Sequence, residues 1–247
     1  MDAFTDPTVE QVTVMSSAQV GKTEIVNNVV GYHIDHDPCP TLLLQPTLEM
    51  AEAWSKDRLA PMLRDTPRLK NKVKDNRTKD SNNTIRQKKF PGGHITMAGG
   101  NSPSSLASRP IRLYLVDEAD RLPSSAGEEG DPFDLGRKRT TTFWNRKVGV
   151  VSTPTIKGLS RIEAEFEASD KRRYFVPCPE CSGMQYFQWG GQDKNYGIKF
   201  DKDDPESVVY VCEHCQAEIP HSQKAWMIKN GQWLATAPFN GNAGFHL

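Results

Sequence analysis

The first half of the chain alternates short apolar runs with longer amphipathic ones. Gln11–Met15 (QVTVM) is β-rich and leads into a Gly-Lys-Thr turn, after which residues 24–32 have helical character. Residues 41–44 (TLLL) fit a buried strand that ends in Gln45-Pro46-Thr47. Thr47 is placed to cap a long helix running through Leu63, with apolar positions Leu48, Ala51, Trp54, Leu59 and Leu63. Residues 84–89 and 94–97, divided by Phe90-Pro91-Gly92-Gly93, read as a β-hairpin. Residues 111–116 and 147–151 (KVGVV) are two more buried strands, and residues 124–131 (SSAGEEGD) read as a loop. Strands alternating with helices predict an α/β fold, with a mostly parallel sheet and helices on both faces. From about Arg173 the pattern changes: periodic helices become scarce, and Gly, Pro and Asp fill the connections. A boundary is expected near residues 171–174. It separates a domain at 1–172 from a small module at 173–235, with 236–247 beginning a linker.

Composition narrows the class without choosing a partner. The 247 residues carry 31 Lys and Arg against 31 Asp and Glu, so the whole-chain field favours neither polyanions nor polycations. Basic runs at 70–79, 86–89 and 137–139 read as solvated surface before they read as nucleic-acid contacts. No apolar stretch approaches the roughly 18 residues that span a bilayer. The opening MDAFTDPTVE lacks the basic start and apolar core of a signal peptide, so a reducing compartment is expected. In such a compartment paired cysteines point to metal before disulfides.

Three segments carry candidate chemistry. The first is Ser16, Ser17, Ala18, Gln19, Val20, Gly21, Lys22 and Thr23, between a strand and a helix. A phosphate loop of this kind needs Gly-x-x-x-x-Gly-Lys-[Ser/Thr]. Backbone N–H groups wrap phosphates, the lysine neutralises the β/γ oxygens, and the hydroxyl ligates magnesium. The last three positions match, whereas Ser16 stands where the first glycine belongs. Alone, the stretch also reads as a strand–turn–helix capped by Thr23. The second segment is an apolar strand ending in Asp117-Glu118. At the carboxyl end of a parallel strand, one carboxylate can hold Mg²⁺ while the other polarises an attacking water. The third is Ser152-Thr153-Pro154 at the tip of another core strand, an ordinary strand exit when seen alone.

Cysteine spacing adds a metal site. Cys178-Pro-Glu-Cys181 and Cys212-Glu-His-Cys215 are two Cys-x-x-Cys knuckles, and together they predict a closed, structural Cys₄ zinc site. A redox dithiol and unpaired buried cysteines are the other readings. His214 is expected to face solvent, and Cys39 has no partner. Tyr186, Trp189 and Tyr196 are expected to pack over the zinc site, or else to contact DNA or a partner.

The order SSAQVGKTE, LYLVDEAD, VVSTPT, CPEC and CEHC resembles the large terminase subunit of tailed phages, in its lambda-like family. The longer stretches SRPIRLYLVDEADRLP and STPTIKGLSRIEAEF, with GQWLATAP and the final GFHL, extend the resemblance over nearly the whole chain. It implies a P-loop fold of the RecA/ASCE type followed by a zinc-ribbon module. The implied activity is a motor that uses ATP with Mg²⁺ to drive double-stranded DNA through a portal into a procapsid, Zn²⁺ being structural in the ribbon. It also implies a homo-oligomeric ring, a small-subunit partner and the host cytoplasm. By position, Lys22 and Thr23 bind phosphates and magnesium, Asp117 binds magnesium, Glu118 is the catalytic carboxylate, and Ser152–Pro154 couple hydrolysis to movement. Ala18 and Gln19 occupy the place of an arginine that many terminases carry in the loop. Arg109 matches in position one supplied to a neighbouring subunit, with Arg139 a weaker candidate. The family's adenine-binding segment is expected further upstream and its nuclease domain further downstream, so the chain reads as a fragment. The rival readings are a helicase-like translocase, prompted by Asp117-Glu118-Ala119-Asp120, and a zinc-containing DNA-binding module whose loop no longer hydrolyses ATP.

Overall fold

The structure, a computed structural model, describes residues 1–73, 83–102, 109–191 and 193–247. Part of the basic run at 70–79 therefore lies outside the described residues. In chain order the strands are β1 (Gln11–Met15), β2 (Pro40–Gln45), β3 (Gln87–Phe90), β4 (Gly93–Gly99), β5 (Leu113–Asp117) and β6 (Lys147–Ser152). They continue with β7 (Arg172–Pro177), β8 (Met184–Tyr186), β9 (Gly197–Asp201), β10 (Asp204–Val211), β11 (Glu218–Pro220), β12 (Gln232–Leu234) and β13 (Asn242–His246). The chain divides into two compact units, Met1–Lys171 with Pro238–Phe245, and Arg172–Ala237 with His246–Leu247.

The larger unit is built on one sheet whose strands run in the order β13-β1-β6-β5-β2-β4-β3. Strands β1, β6, β5, β2 and β4 pair in parallel, each with the next, and β3 joins the β4 edge antiparallel. A parallel sheet is covered on both faces, which is why its central strands are continuous apolar runs. Alternate residues feed two separate cores. Leu43, Leu113 and Leu115 pack with Val26, Val29, Val30 and Ile34 of the helix Lys22–Asp35. Leu42, Leu44, Tyr114 and Val116 pack on the other face with Phe133, Ile162 and Phe166, from helices Pro132–Lys138 and Arg161–Glu167.

Two local differences from the sequence reading have physical causes. The long helix expected after Thr47 begins as foreseen, with the Thr47 side chain accepting from the Met50 N–H at 3.2 Å. It is interrupted, however: Leu48–Trp54 is α-helical, Ser55–Leu59 is a π-turn, and Ala60–Asp65 resumes the α-helix. Pro61 has no N–H and its ring crowds the carbonyl four residues earlier, so the wider turn accommodates it. The second difference is at residues 236–247, expected as linker. Residues 242–246 instead form β13 beside β1, with Ala243 fully buried. Asn242 accepts from Thr13 Oγ1 at 3.1 Å and donates to the Glu165 carbonyl at 3.1 Å. Glycine is required at 244, because a Cβ there would lie 1.8 Å from Ser169 Oγ.

The smaller unit holds two groups of antiparallel strands, β12-β7-β8 and β11-β10-β9. Its core is short: Val176, Cys178, Tyr210, Cys212, Ile219 and Met227. Phe187 meets Tyr210 edge to face at 5.1 Å. Trp189, expected as packing, is largely exposed and touches Phe200 at 5.9 Å. No helix among the described residues is long and apolar enough to cross a membrane.

The end of β4 sets the position of the first helix turn after β2. A Cβ on Gly99 would lie 2.3 Å from Leu48 N and 2.7 Å from the Thr47 carbonyl carbon, both backbone atoms. Gly99→Ala is therefore expected to destabilise the larger unit by roughly 1–3 kcal/mol. Chemical denaturation of the variant checks this, and an unchanged midpoint would mean the backbone there yields freely.

Candidate functional site

Parallel register brings four strand ends to one line. Met15 is opposite Ser152, Asp117 opposite Val151, and Leu44 opposite Val116. The residues just past these ends therefore share the crevice at the carboxyl edge of the sheet. The loop leaving β1 is anchored at its base, where the buried Ser16 donates its N–H to the Ser152 carbonyl at 3.2 Å. Ser16 is absent from the positive-φ residues, which answers the missing glycine, since its backbone needs no glycine freedom. Gln19 (φ 62°) and Gly21 (φ 82°) do adopt left-handed conformations. Gly21 meets nothing within 4 Å of a Cβ, so backbone conformation and not space selects glycine there. Ser17, Ala18, Gln19, Val20 and Gly21 are exposed, and the helix that starts at Lys22 directs its free N–H groups toward them.

Lys22 and the two carboxylates are brought together. The buried Lys22 Nζ lies 3.1 Å from Glu118 Oε1. Asp117 accepts from Gln45 Nε2 at 3.2 Å and from Thr23 Oγ1 at 3.5 Å on Oδ2, and from the Glu118 N–H at 3.1 Å on Oδ1. Burial is the largest influence on Asp117 and lifts its carboxyl above the ordinary value. The Glu118 charge adds to this, and the Gln45 bond and Lys22 oppose it. Glu118 itself sits at φ 54°, ψ 48°, a left-handed conformation that a non-glycine residue adopts only at a cost of about 1–3 kcal/mol. The turn it makes sends its side chain back over Lys22.

Neither arginine singled out in the sequence stands beside its own chain's carboxylates. Arg109 precedes β5 and acts electrostatically on His94, near the start of β4. The Arg139 carbonyl accepts from the Ile111 N–H at 3.0 Å, which places it at the start of β5. Both lie at the opposite end of the strands from Asp117, and four strand steps alone are roughly 13 Å. Among the described residues Arg121 stands at the site, with Nε 3.8 Å from Glu118 Oε2. The signal for it was its spacing, three residues beyond Glu118 on the short turn Ala119–Arg121. Gln45 was likewise missed, as an ordinary strand terminus. In Ser152-Thr153-Pro154, the Ser152 hydroxyl accepts from the Asp120 N–H at 3.2 Å. The Thr153 hydroxyl is buried without a hydrogen-bond partner among the described residues.

In the smaller unit the ligand atoms of Cys178, Cys181, Cys212 and Cys215 all lie within 4.8 Å of one another. Cys178 Sγ is 3.8 Å from Cys215 Sγ, and Cys181 Sγ is 3.9 Å from Cys212 Sγ. Thiolates about 2.3 Å from one tetrahedral ion are about 3.8 Å apart, whereas a disulfide is about 2.05 Å. Burial pushes the Cys178 thiol up to about 12. Burial acts the same way on Cys212, but the N–H groups of Cys215 and His214 and the neighbouring thiols outweigh it and bring that thiol down to about 6. Gln185 Nε2 also donates to Cys212 Sγ at 3.4 Å. His214 turns away from the sulfurs, with Nε2 3.1 Å from the Met184 carbonyl.

Comparison with known proteins gives a consistent result. Residues 1–233 match the family model of the phage terminase large subunit gpA, ATPase domain. The chain is 33% identical over 242 residues to the terminase large subunit of Enterobacteria phage P21, covering 94% of this chain and 38% of that protein. It is 32% identical over 217 residues to the terminase large subunit of Escherichia phage lambda, covering 87% and 34%. The chain thus spans less than two fifths of the length of these relatives. Its fold is similar to that of the large terminase ATPase domain of Thermus phage P74-26, with a TM-score of 0.52 at 14% identity, over 97% of this chain and 76% of that one.

The raised Asp117 carboxyl makes stability depend on pH. A carboxyl raised by folding keeps a proton that the unfolded chain has already released. Stability therefore declines as pH climbs from the ordinary aspartate value through the raised one. Asp117→Asn has no charge to bury, and Gln45 and Thr23 can turn their amide and hydroxyl to suit it. The ligand-free variant is expected to match the parent below that window and to melt higher above it. Thermal melts across the acidic to neutral range check this, and a variant that melts lower at neutral pH would contradict it.

Proposed function

The chain belongs to the phage terminase large-subunit family, in its gpA ATPase domain, and from that premise we propose that it hydrolyses ATP as the motor of DNA packaging. One observation carries the reading: the Lys22–Glu118 pair and the Asp117–Thr23–Gln45 cluster stand beside an exposed phosphate-type loop, at the carboxyl edge of a parallel sheet. The residues fit a magnesium ion, since an aspartate and a threonine hydroxyl converge there with Gln45 steadying the carboxylate. Mg²⁺ held by Thr23 and Asp117 would supply charge neutralisation at the β- and γ-phosphate oxygens.

The chain's own residues do the rest. The loop N–H groups and the helix N-terminus take the phosphates, and Lys22 exchanges Glu118 for their oxygens. Glu118, freed on Oε1 and steadied by Arg121 on Oε2, turns to the attacking water and accepts its proton. The Thr153 hydroxyl, buried and unpaired among the described residues, is suited to sense the terminal phosphate or that water. Arg109, too far along the strands for its own site, is assigned to a neighbouring subunit's ATP in a homo-oligomeric ring. Double-stranded DNA, the procapsid portal, a small-subunit partner and the host cytoplasm complete the proposal.

The domains follow as 1–172 for the motor and 173–235 for a zinc ribbon, with residues 238–245 returning to the motor sheet. Cys178, Cys181, Cys212 and Cys215 are proposed to hold one Zn²⁺. The six-residue core of this unit is small for independent stability, so metal binding supplies much of its folding free energy.

Two sets of measurements test these proposals. Steady-state ATPase assays with and without double-stranded DNA should find Lys22→Ala inactive and weak in nucleotide binding. Glu118→Gln should bind ATP yet turn over at least about a hundredfold more slowly, and unchanged turnover would falsify the mechanism. Elemental analysis should find one zinc per chain, lost in Cys181→Ser. Proteolysis of that variant should digest residues 172–237 and leave 1–171 resistant, with 238–245 retained as a strand. A metal-free preparation whose smaller unit stays folded would remove the zinc assignment.

A further inference from the structure

Residues 154–159 leave the tip of β6 with no burial to hold them. Ile156 is 63% and Leu159 82% exposed, although both are apolar. The segment closes on itself as a turn, with Leu159 N–H donating to the Ile156 carbonyl at 3.0 Å and Gly158 N–H to Glu163 Oε2 at 2.7 Å. Ser160 then caps the helix Arg161–Glu167 by accepting from the Glu163 N–H at 3.2 Å. These bonds shape the loop but do not fix its base.

The base is held by one side chain. Asp120 Oδ2 accepts from Thr155 N–H at 2.9 Å and from Thr155 Oγ1 at 3.0 Å, while Oδ1 accepts from Ile162 N–H at 2.8 Å. Its own N–H donates to Ser152 Oγ at 3.2 Å. Burial works to raise this carboxyl. The bonds from Ser160, Ile162 and Thr155 outweigh burial and hold it below the usual carboxylate range, so it is charged when it grips them. Asp120 belongs to the short turn Ala119–Arg121, directly after Glu118, and Ala119 beside it is buried. A backbone shift at Glu118 is therefore passed through the buried Ala119 to Asp120, two residues on.

We propose that Asp120 is a positioning residue that transmits the state of Glu118 to residues 152–162, gripping the loop and the following helix start from the turn that carries the catalytic carboxylate. This rests on the ATPase reading above. When Glu118 exchanges Lys22 for water, the Asp120 carboxylate carries Thr155 and Ile162 with it, so the exposed loop moves with the chemical state of the nucleotide.

The test uses the full chain and two readouts: amide hydrogen exchange at Thr155 and Ile162, and steady-state ATP turnover. Asp120→Asn keeps the shape but cannot accept at both oxygens. It should speed exchange at both amides and lower kcat, each by about tenfold or more, with KM for ATP within about twofold. Thr155→Val should lower kcat less, and Thr155→Ser should restore it. The double variant Asp120→Asn/Thr155→Val should be no slower than Asp120→Asn alone, since both act through one contact. An Asp120→Asn protein with fast exchange and unchanged kcat would reduce Asp120 to a structural staple, and losses that multiply in the double variant would also overturn the proposal. If the parent chain shows no turnover, the ATPase reading falls. Protection of Thr155 and Ile162 that responds to MgATP only while Asp120 is intact would then still support the coupling, and a lack of response would overturn it.

Discussion

Two adjacent carboxylates at the end of a buried strand are the constraint around which the larger unit is arranged. Asp117 is taken out of water by the sheet, and Glu118 beside it adds a like charge. Such an arrangement persists only with compensation. Lys22 meets Glu118 at 3.1 Å, Arg121 stands at its second oxygen, and Gln45, Thr23 and the Glu118 N–H share the oxygens of Asp117. Removing one partner from a buried pair of this kind costs roughly 3–5 kcal/mol. Lys22 is thus held by Glu118, the carboxylate proposed as catalytic.

The sheet makes that compensation possible. Lys22, Gln45, Glu118 and Ser152 come from four separate stretches of chain, and only in-register parallel pairing ends them on one line. β6 lies between the strand leading to the loop and the strand leading to the acids, so Ser152 at its tip can bond to both sides. The Ser152 carbonyl accepts from Ser16, and its hydroxyl accepts from Asp120. A single residue at that strand tip therefore links the phosphate-type loop with the acidic turn.

Much of this was legible in the sequence for a physical reason. Apolar runs buried on both faces announce parallel strands, and the Gly-Lys-Thr and Asp-Glu pairs announce where those strands end. The two Cys-x-x-Cys spacings likewise announced that four sulfurs would converge, and they lie within 4.8 Å of one another. What escaped depends on contacts between distant residues. β13 is a five-residue, glycine-containing strand whose identity comes from Thr13, Glu165 and Ser169, none of them near it in sequence. The π-turn came from a single proline against a good helical pattern. Arg109, read as serving a neighbouring subunit, lies at the far end of β5 from its own chain's carboxylates. Arg121 and Gln45, with no motif to announce them, stand at the site.

The central claim is that nucleotide takes Lys22 from Glu118 and thereby frees the carboxylate for water. A crystal structure of the full chain with Mg²⁺ and a non-hydrolysable ATP analogue measures this directly. The account predicts Lys22 Nζ on the phosphate oxygens, Thr23 and Asp117 at the metal, and Glu118 parted from Lys22 and facing the terminal phosphate. A bound nucleotide with Lys22 still paired to Glu118, or one seated away from the loop at residues 16–23, would contradict it.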